Sequence, residues 1–476
     1  MAITILLEPQ AFQPTYNEII TVLSSTKVAE VDFKFVIDVN IAGVNKSRMK
    51  VNPNPENFGV VDLHKHIEPF ISSDIDYTET ETFQLTPNTQ TKYDITLFEE
   101  YLLDIPYTAV AGSGGFCEYD FGQPHYLAIG DNALISNSTV PAYDGVQLVT
   151  SVPTANKIVT DKAFTLTATG DMQRADGGST LIPSATVFSE SKYANSSVLD
   201  WLDVPNFDED DYKINSTDTG LLLTTGQLNY VREDSKCFLN FYNSNNLGAT
   251  YLRVTTDNGE FLVTNDNYTA SNDAQKFLTV GCGADQLENT TNTVIVNSGS
   301  LPMFDSSILS YTVQLADVAE NDSSQLYTFN INRDCSKYDL YNIVYQDQLG
   351  SFIPLTFDRA SKETITNKKT NFKKNYGTYN SVANTWGYES KDRGVKRLDT
   401  DITENIEIQS NWITEVEGDK VIELMNSPEV YLDDGTQLIS INISTNRIVK
   451  KKRVTDSLIN YKLSFNYSFK NTVQRG

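Results

Sequence analysis

One segment limits the choice of fold more than any other: Val-Asp-Phe-Lys-Phe-Val-Ile-Asp-Val-Asn-Ile at 31–41. Val31, Phe33, Phe35, Ile37, Val39 and Ile41 fall on one side of an extended chain. Asp32, Lys34, Asp38 and Asn40 fall on the other. This period-two alternation predicts a strand with one buried face, as in an antiparallel sheet packed on a core. Ala42-Gly43-Val44-Asn45 supplies a turn. Ser47–Val51 returns as a partner strand, and Pro53 and Pro55 end it.

Comparable short runs recur at 92–98, 145–150, 220–224, 250–255, 260–264, 294–297, 310–315, 326–331, 404–409, 437–443 and 460–469, with turn signals such as Asp257-Asn258-Gly259 between them. They predict a mainly all-β protein of antiparallel, immunoglobulin-like β-sandwiches with few short helices. Residues 335–346 fit a short helix or a strand, and 419–427 fit a two-turn helix stopped by Pro428. A chain of 476 residues is long enough for several domains. The Gly-rich stretch 111–115 and a composition change near 298–305 place the boundaries. The expected domains are 1–110, 111–305 and 306–476, the last with an extended arm near 361–399.

Charge excludes some functions. With 37 basic and 62 acidic residues the net charge is −25, which repels nucleic-acid backbones and anionic membranes at long range. No nucleic-acid binding is expected of the whole chain. No apolar run reaches the length of a spanning helix, and the N-terminal residues carry no basic n-region, so no membrane anchor or secretory signal is expected. Cys117, Cys237, Cys282 and Cys335 are far apart and form no CxxC pair. They read as reduced, mostly buried thiols rather than zinc ligands.

Motifs for catalysis are absent. There is no G-x-S-x-G, P-loop or catalytic-cysteine signature. His64-Lys65-His66 on a strand would set two imidazoles on one face, with Asp62 and Glu68 nearby, and could hold a metal, but an exposed polar strand or turn beside Pro69 is the simpler reading. Asp208-Glu209-Asp210-Asp211 lacks the spacing of a calcium loop and reads as a solvated surface segment. Asp257 with Glu260, and Asp433 with Asp434, read as hairpin turns. The chain is expected to be a non-enzyme without a cofactor.

Two segments stand out as candidate assembly interfaces. One is polar, basic and aromatic with a weak strand pattern, and contains Lys368, Lys369, Phe372, Lys373, Lys374 and Tyr376. The other is the basic cluster Arg447, Lys450, Lys451, Lys452 and Arg453. Basic patches on an acidic chain suit docking to an acidic neighbour, although lysines also guard solvated strand edges. Trp201, Trp386 and Trp412 read as core residues. If instead exposed on loops, they would suit stacking on sugar rings, the alternative reading of a receptor- or carbohydrate-binding fibre or adhesion protein.

Some runs carry a family likeness. Near the start are Phe12-Gln13-Pro14-Thr15-Tyr16-Asn17, the strand Phe33–Val39, Arg48-Met49-Lys50-Val51, Asn52-Pro53-Asn54-Pro55 and Gly59-Val60-Val61-Asp62-Leu63. Towards the end are Asp334-Cys335-Ser336-Lys337-Tyr338, Gln348-Leu349-Gly350-Ser351-Phe352, Leu355-Thr356-Phe357-Asp358, Glu423–Leu432 and Leu463-Ser464-Phe465-Asn466-Tyr467. Over about half the chain these resemble tail and virion structural proteins of crAss-like and related phages of Bacteroidetes hosts. The resemblance implies a hub or ring component of a virion tail, assembled in the host cytoplasm. It further implies a homo-oligomeric ring, six- or twelve-fold, with other ring, hub, muzzle or fibre proteins as partners.

Overall fold

A computed structural model describes residues 3–72, 75–77, 80–84, 86–175, 179–214, 217, 228–243, 250–266, 276–297, 299, 301–392, 394–449 and 459–469. Among the described residues strands predominate and helices are few and short, so the protein is all-β with several sheets, as the alternation predicts. The run at 220–224 lies outside the described residues. The other expected runs fall on strands, with ends shifted by a few residues except at 404–409, which is the last part of a strand that begins at Val395.

The chain divides into two compact units, Met1–Ser72 with Gln90–Asn195, and Ser73–Thr89 with Ser196–Gly476. These differ from the three expected domains. The boundary at 110 falls within the strand Ile105–Ala111, which pairs with Phe116–Asp120. The glycines are therefore the turn of a hairpin rather than a linker. Gly114 and Gly115 take φ of +73° and +81°, the left-handed region that favours glycine. The boundary at 305 fails similarly. Val294–Val296 and Ser310–Ala316 lie in one sheet, and Met303 and Phe304 share a core with Ile308 and Tyr311.

The first unit holds a closed six-stranded barrel, a correction to the all-sandwich expectation. Around it run Phe116–Asp120, Lys157–Ala163, Gly145–Thr154, Asn132–Ser136, Ala168–Arg174 and Ile105–Ala111. Closure leaves no free sheet edge. The first unit also has the sheet Phe12–Pro14, Lys192–Asn195, Gln90–Tyr101, Lys34–Ile41 and Val44–Val51, with Thr180–Pro183 added to the long strand. A three-stranded sheet, Ile3–Leu7, Ile20–Ser25 and Gly59–Asp62, completes it.

The opening strand starts at Lys34, later than expected. Asp32 has φ of +58° and Val31 is exposed, so both belong to the preceding turn. The expected polar face is covered in its middle, where Val36 and Asp38 are buried. Asp38 accepts two hydrogen bonds from the Arg48 guanidinium, at 2.5 and 2.6 Å. Arg48 is its register partner on Val44–Val51, so the return strand supplies the cation that lets a carboxylate sit there.

The second unit is built on two sheets. Ten strands run in the order Lys362–Lys373, Val395–Gln409, Lys462–Tyr467, Leu438–Ile443, Val430–Asp433, Tyr341–Gln346, Phe352–Phe357, Phe238–Tyr242, Phe277–Gly281 and Phe83–Gln84. The segment left open between helix and strand at 335–346 is thus a strand from Tyr341 onward. The second sheet orders Leu228–Arg232, Tyr327–Asn332, Ser310–Ala316, Tyr251–Thr256, Gly259–Thr264 and Val294–Val296. Its first two strands pair in parallel, as do Phe12–Pro14 and Lys192–Asn195 in the first unit. The antiparallel expectation therefore fails at these two ladders. One core joins both sheets of the second unit through Phe241, Val254, Tyr311, Phe329, Tyr345 and Phe465.

The helix Glu415–Asn426 starts four residues before the expected 419. Thr414 Oγ1 accepts from Glu417 N, and Thr414 N donates to Glu417 Oε2 at 2.7 Å. This reciprocal pair satisfies donors of the first turn. Val421 and Leu424 are buried, and the helix ends two residues before Pro428.

Candidate assembly interface

The segment near 361–399 is an ordered arm, not an irregular one. Lys362–Lys373 pairs antiparallel with Val395–Gln409 from Lys362↔Glu407 to Lys373↔Val395. Only the base of the return strand, Asn405–Gln409, also pairs with Lys462–Tyr467. Beyond it, nine register pairs form a bare two-stranded ribbon, about 30 Å long at ~3.3 Å per residue. Every residue of Lys362–Lys373 is exposed. That explains the weak strand signal: neither face meets a core, so nothing selects apolar alternation.

The register assigns different roles to the expected interface residues. Lys368 lies opposite Asp401, and Lys362 opposite Glu407. Such cross-strand charge pairs stabilise the ribbon itself. Lys369 lies opposite Thr400. Phe372, Lys373, Lys374 and Tyr376 are gathered at the distal end, where Lys374 N donates to Gly394 O at 2.8 Å.

The tip is a small hairpin of its own. Thr378–Asn380 pairs with Thr385–Gly387, setting Tyr379 opposite Trp386. Asn380 Oδ1 accepts from Val382 N and Ala383 N, which closes the turn. Tyr379 Oη donates to Asn384 Oδ1 at 2.6 Å. Tyr376 and Tyr388 meet edge to face at 5.2 Å. Lys373, Lys374, Tyr376, Trp386 and Tyr388 line one shallow concavity.

Two glycines seat the rings. Gly377 has φ of +95°, and a Cβ there would stand 2.7 Å from Gly387 O and 2.9 Å from the Trp386 ring. A Cβ on Gly394 would stand 2.8 Å from Tyr376. Gly377→Ala is therefore expected to unseat the tip at a local cost of about 1–3 kcal/mol. Faster trypsin cleavage after Lys373 and Lys374, with an unchanged global melting temperature, is the expected reading. Unaltered cleavage would show that the tip does not depend on that seat.

Tryptophan placement overturns the core expectation. Trp201, Trp386 and Trp412 are 76%, 60% and 55% exposed. Trp386, Tyr379 and Tyr388 belong to the tip but were absent from the expected interface. The available signal was negative: 361–399 has no apolar alternation that could bury an indole.

The second expected patch is only partly visible. Arg447 is exposed, and Lys450, Lys451, Lys452 and Arg453 lie outside the described residues.

Other candidate chemistry resolves into structural roles. His64 begins a helical turn, His64–Ile67, rather than a strand, and its Nδ1 lies 2.6 Å from Asp62 Oδ2. His125 is buried; burial lowers its basicity, and its Nδ1 accepts from Leu127 N. Asp208 caps a short helical turn while Lys213 bridges Glu209 and Asp210 at 2.6 and 2.7 Å. Among the described residues no group of three His, Cys, Asp or Glu side chains forms a metal cluster. No helix among them is long and apolar enough to cross a membrane. Cys117, Cys237 and Cys282 are buried, whereas Cys335 is exposed.

Electrostatics separates the arm from the body. Residues 365–404, the segment that spans the bare ribbon and its tip, carry eight Lys and Arg against five Asp and Glu, a net +3, which leaves −28 for the rest of the chain.

No protein-family model matches the chain, and no curated protein matches it. Among solved structures, the phage phi92 endosialidase aligns at 10% identity over all of this chain and 70% of its own, with a TM-score of 0.16. That score is too low to establish a shared fold.

Proposed function

We propose that this protein is a non-enzymatic building block of a bacteriophage tail, a hub or ring component in which the arm of one copy docks on the acidic surface of the next. The bare basic ribbon with its aromatic tip carries this reading. A two-stranded ribbon is at best marginally stable in water without a surface to pack on. Its tip presents tyrosine and tryptophan, the residue types that dominate binding energy at protein interfaces. The contrast between a +3 arm and a −28 body orients and speeds such docking. The tail assignment rests on the sequence likeness at the two ends of the chain, and copies repeated about a tail axis require a cyclic interface of this head-to-tail kind.

The test is incorporation. Protein lacking residues 365–404, with the ribbon closed by a short turn, should fold and yet be missing from particles examined by electron microscopy. Incorporation of the shortened chain at normal copy number would refute the arm's role. Absence of the full-length protein from virion tails would refute the assignment itself.

A further inference from the structure

A separate cleft lies within the second unit, with a volume of about 300 Å³. Two exposed aromatic side chains border it, Tyr230 at 53% and Trp412 at 55%. Trp412 is exposed on a backbone fixed from both sides. Its N–H donates to Asn411 Oδ1 at 2.8 Å, and Asn411 Nδ2 donates to Asp358 Oδ2 at 3.2 Å. On the other side Ile413 and Ile459 exchange two backbone hydrogen bonds of 2.8 Å. A large indole kept in water on a pinned segment gains nothing for the core, which points to a ligand as its partner.

The polar groups narrow the ligand class. Asp358 and Arg232 are each held in a long ion pair, Asp358 Oδ1 3.9 Å from Arg359 Nε and Arg232 Nε 3.6 Å from Asp234 Oδ1. One is an acceptor and the other a donor, and both side chains line the cleft with Asn332 and Asn411. This mixed lining of donors and acceptors suits a partner that offers both beside an apolar face. Anions are disfavoured because Asp358 and Glu417 also line the cleft. A pyranose meets these demands: its C–H face stacks on an indole, and its vicinal hydroxyls each donate and accept. We infer that the Trp412–Tyr230 cleft is a binding site for a neutral saccharide of one or two sugar rings. This inference does not depend on the arm or on the assembly reading.

The full-length protein would be titrated calorimetrically with neutral oligosaccharides of glucose, mannose, galactose and N-acetylglucosamine, and with adenosine monophosphate as a different planar ligand. At least one oligosaccharide should bind. Trp412→Ala should weaken it by at least about tenfold, whereas Trp201→Ala, at the 76% exposed tryptophan outside the cleft, should leave it unchanged. Because Trp412 is exposed, its variant should melt like the parent, which separates lost binding from lost folding. The inference is overturned if no oligosaccharide binds at millimolar concentration, if Trp412→Ala binds as well as the parent, or if only the nucleotide binds.

Discussion

Replacing Tyr376, Trp386 and Tyr388 together by serine is expected to abolish association between copies while leaving the folded monomer intact. All three rings lie at the end of a ribbon and contribute nothing to either buried core. Their removal should shift the melting temperature of the isolated chain by no more than the scatter seen for surface changes. Interface aromatics of this type cost about 2 kcal/mol or more each when truncated. Three of them would weaken assembly by more than about a thousandfold even with partial non-additivity. Sedimentation of the purified protein gives the measurement. Exchanging Lys373 and Lys374 for glutamate should act differently. It should slow association most strongly at low salt, because steering between a basic arm and an acidic body is screened over about 10 Å at 0.1 M ionic strength. Equal association of the serine variant and the parent would place the interface elsewhere on the molecule.

The second large effect concerns pH. Lys420 is 2% exposed on the inner side of the helix Glu415–Asn426. Burial pushes its ammonium down to about 8, while Glu417, Cys237, Glu423 and Asp347 oppose the shift. The unfolded chain keeps the ordinary value of 10.5. Between these values the unfolded state holds a proton that the folded state lacks, so stability must rise with pH across that window. Below pH 8 both states are protonated and the cost of burying the charge is fully present. Relative to Lys420→Met, the parent should therefore gain about 2.5 kcal/mol of stability between pH 7 and pH 10. The buried tyrosines Tyr311, Tyr327 and Tyr345 are pushed the other way by their own burial and lower stability above pH 10 in both proteins. Urea unfolding of the two proteins, compared pairwise, removes that common contribution. A difference that stays constant from pH 7 to pH 10 would mean that Lys420 is not held in a desolvated site.

Both effects trace back to residues whose surroundings local pattern does not report. Lys420 lies between Gly418 and Val421, both buried, on a helix that mixes Glu415, Glu417, Asp419 and Glu423 with apolar residues. Its burial is set by the sheet beneath, contributed by strands far away in sequence. A nearer signal was present for the helix start. Thr414-Glu415-Val416-Glu417 has the spacing of a capping box, and reading it would have moved the start from 419 to 415. Trp386 was harder. Tryptophan is usually well buried, and only the absence of any apolar alternation around it argued otherwise.

Local sequence determined the elements whose cause is local. Alternation at 34–41 made a strand, Asp257-Asn258 made a tight connection between two strands, and Thr414 with Pro428 bracketed a helix. The all-β class follows from these. Tertiary structure decided what each strand lies against. Period two says that one face is covered but not by which partner. Nothing local tells Phe12 that it will pair with Tyr193, or that Ile105–Ala111 will close a barrel through both Phe116–Asp120 and Ala168–Arg174. The same limit hid the arm. A ribbon with both faces in water is held by backbone hydrogen bonds and cross-strand pairs, and these leave almost no mark on the spacing of apolar residues.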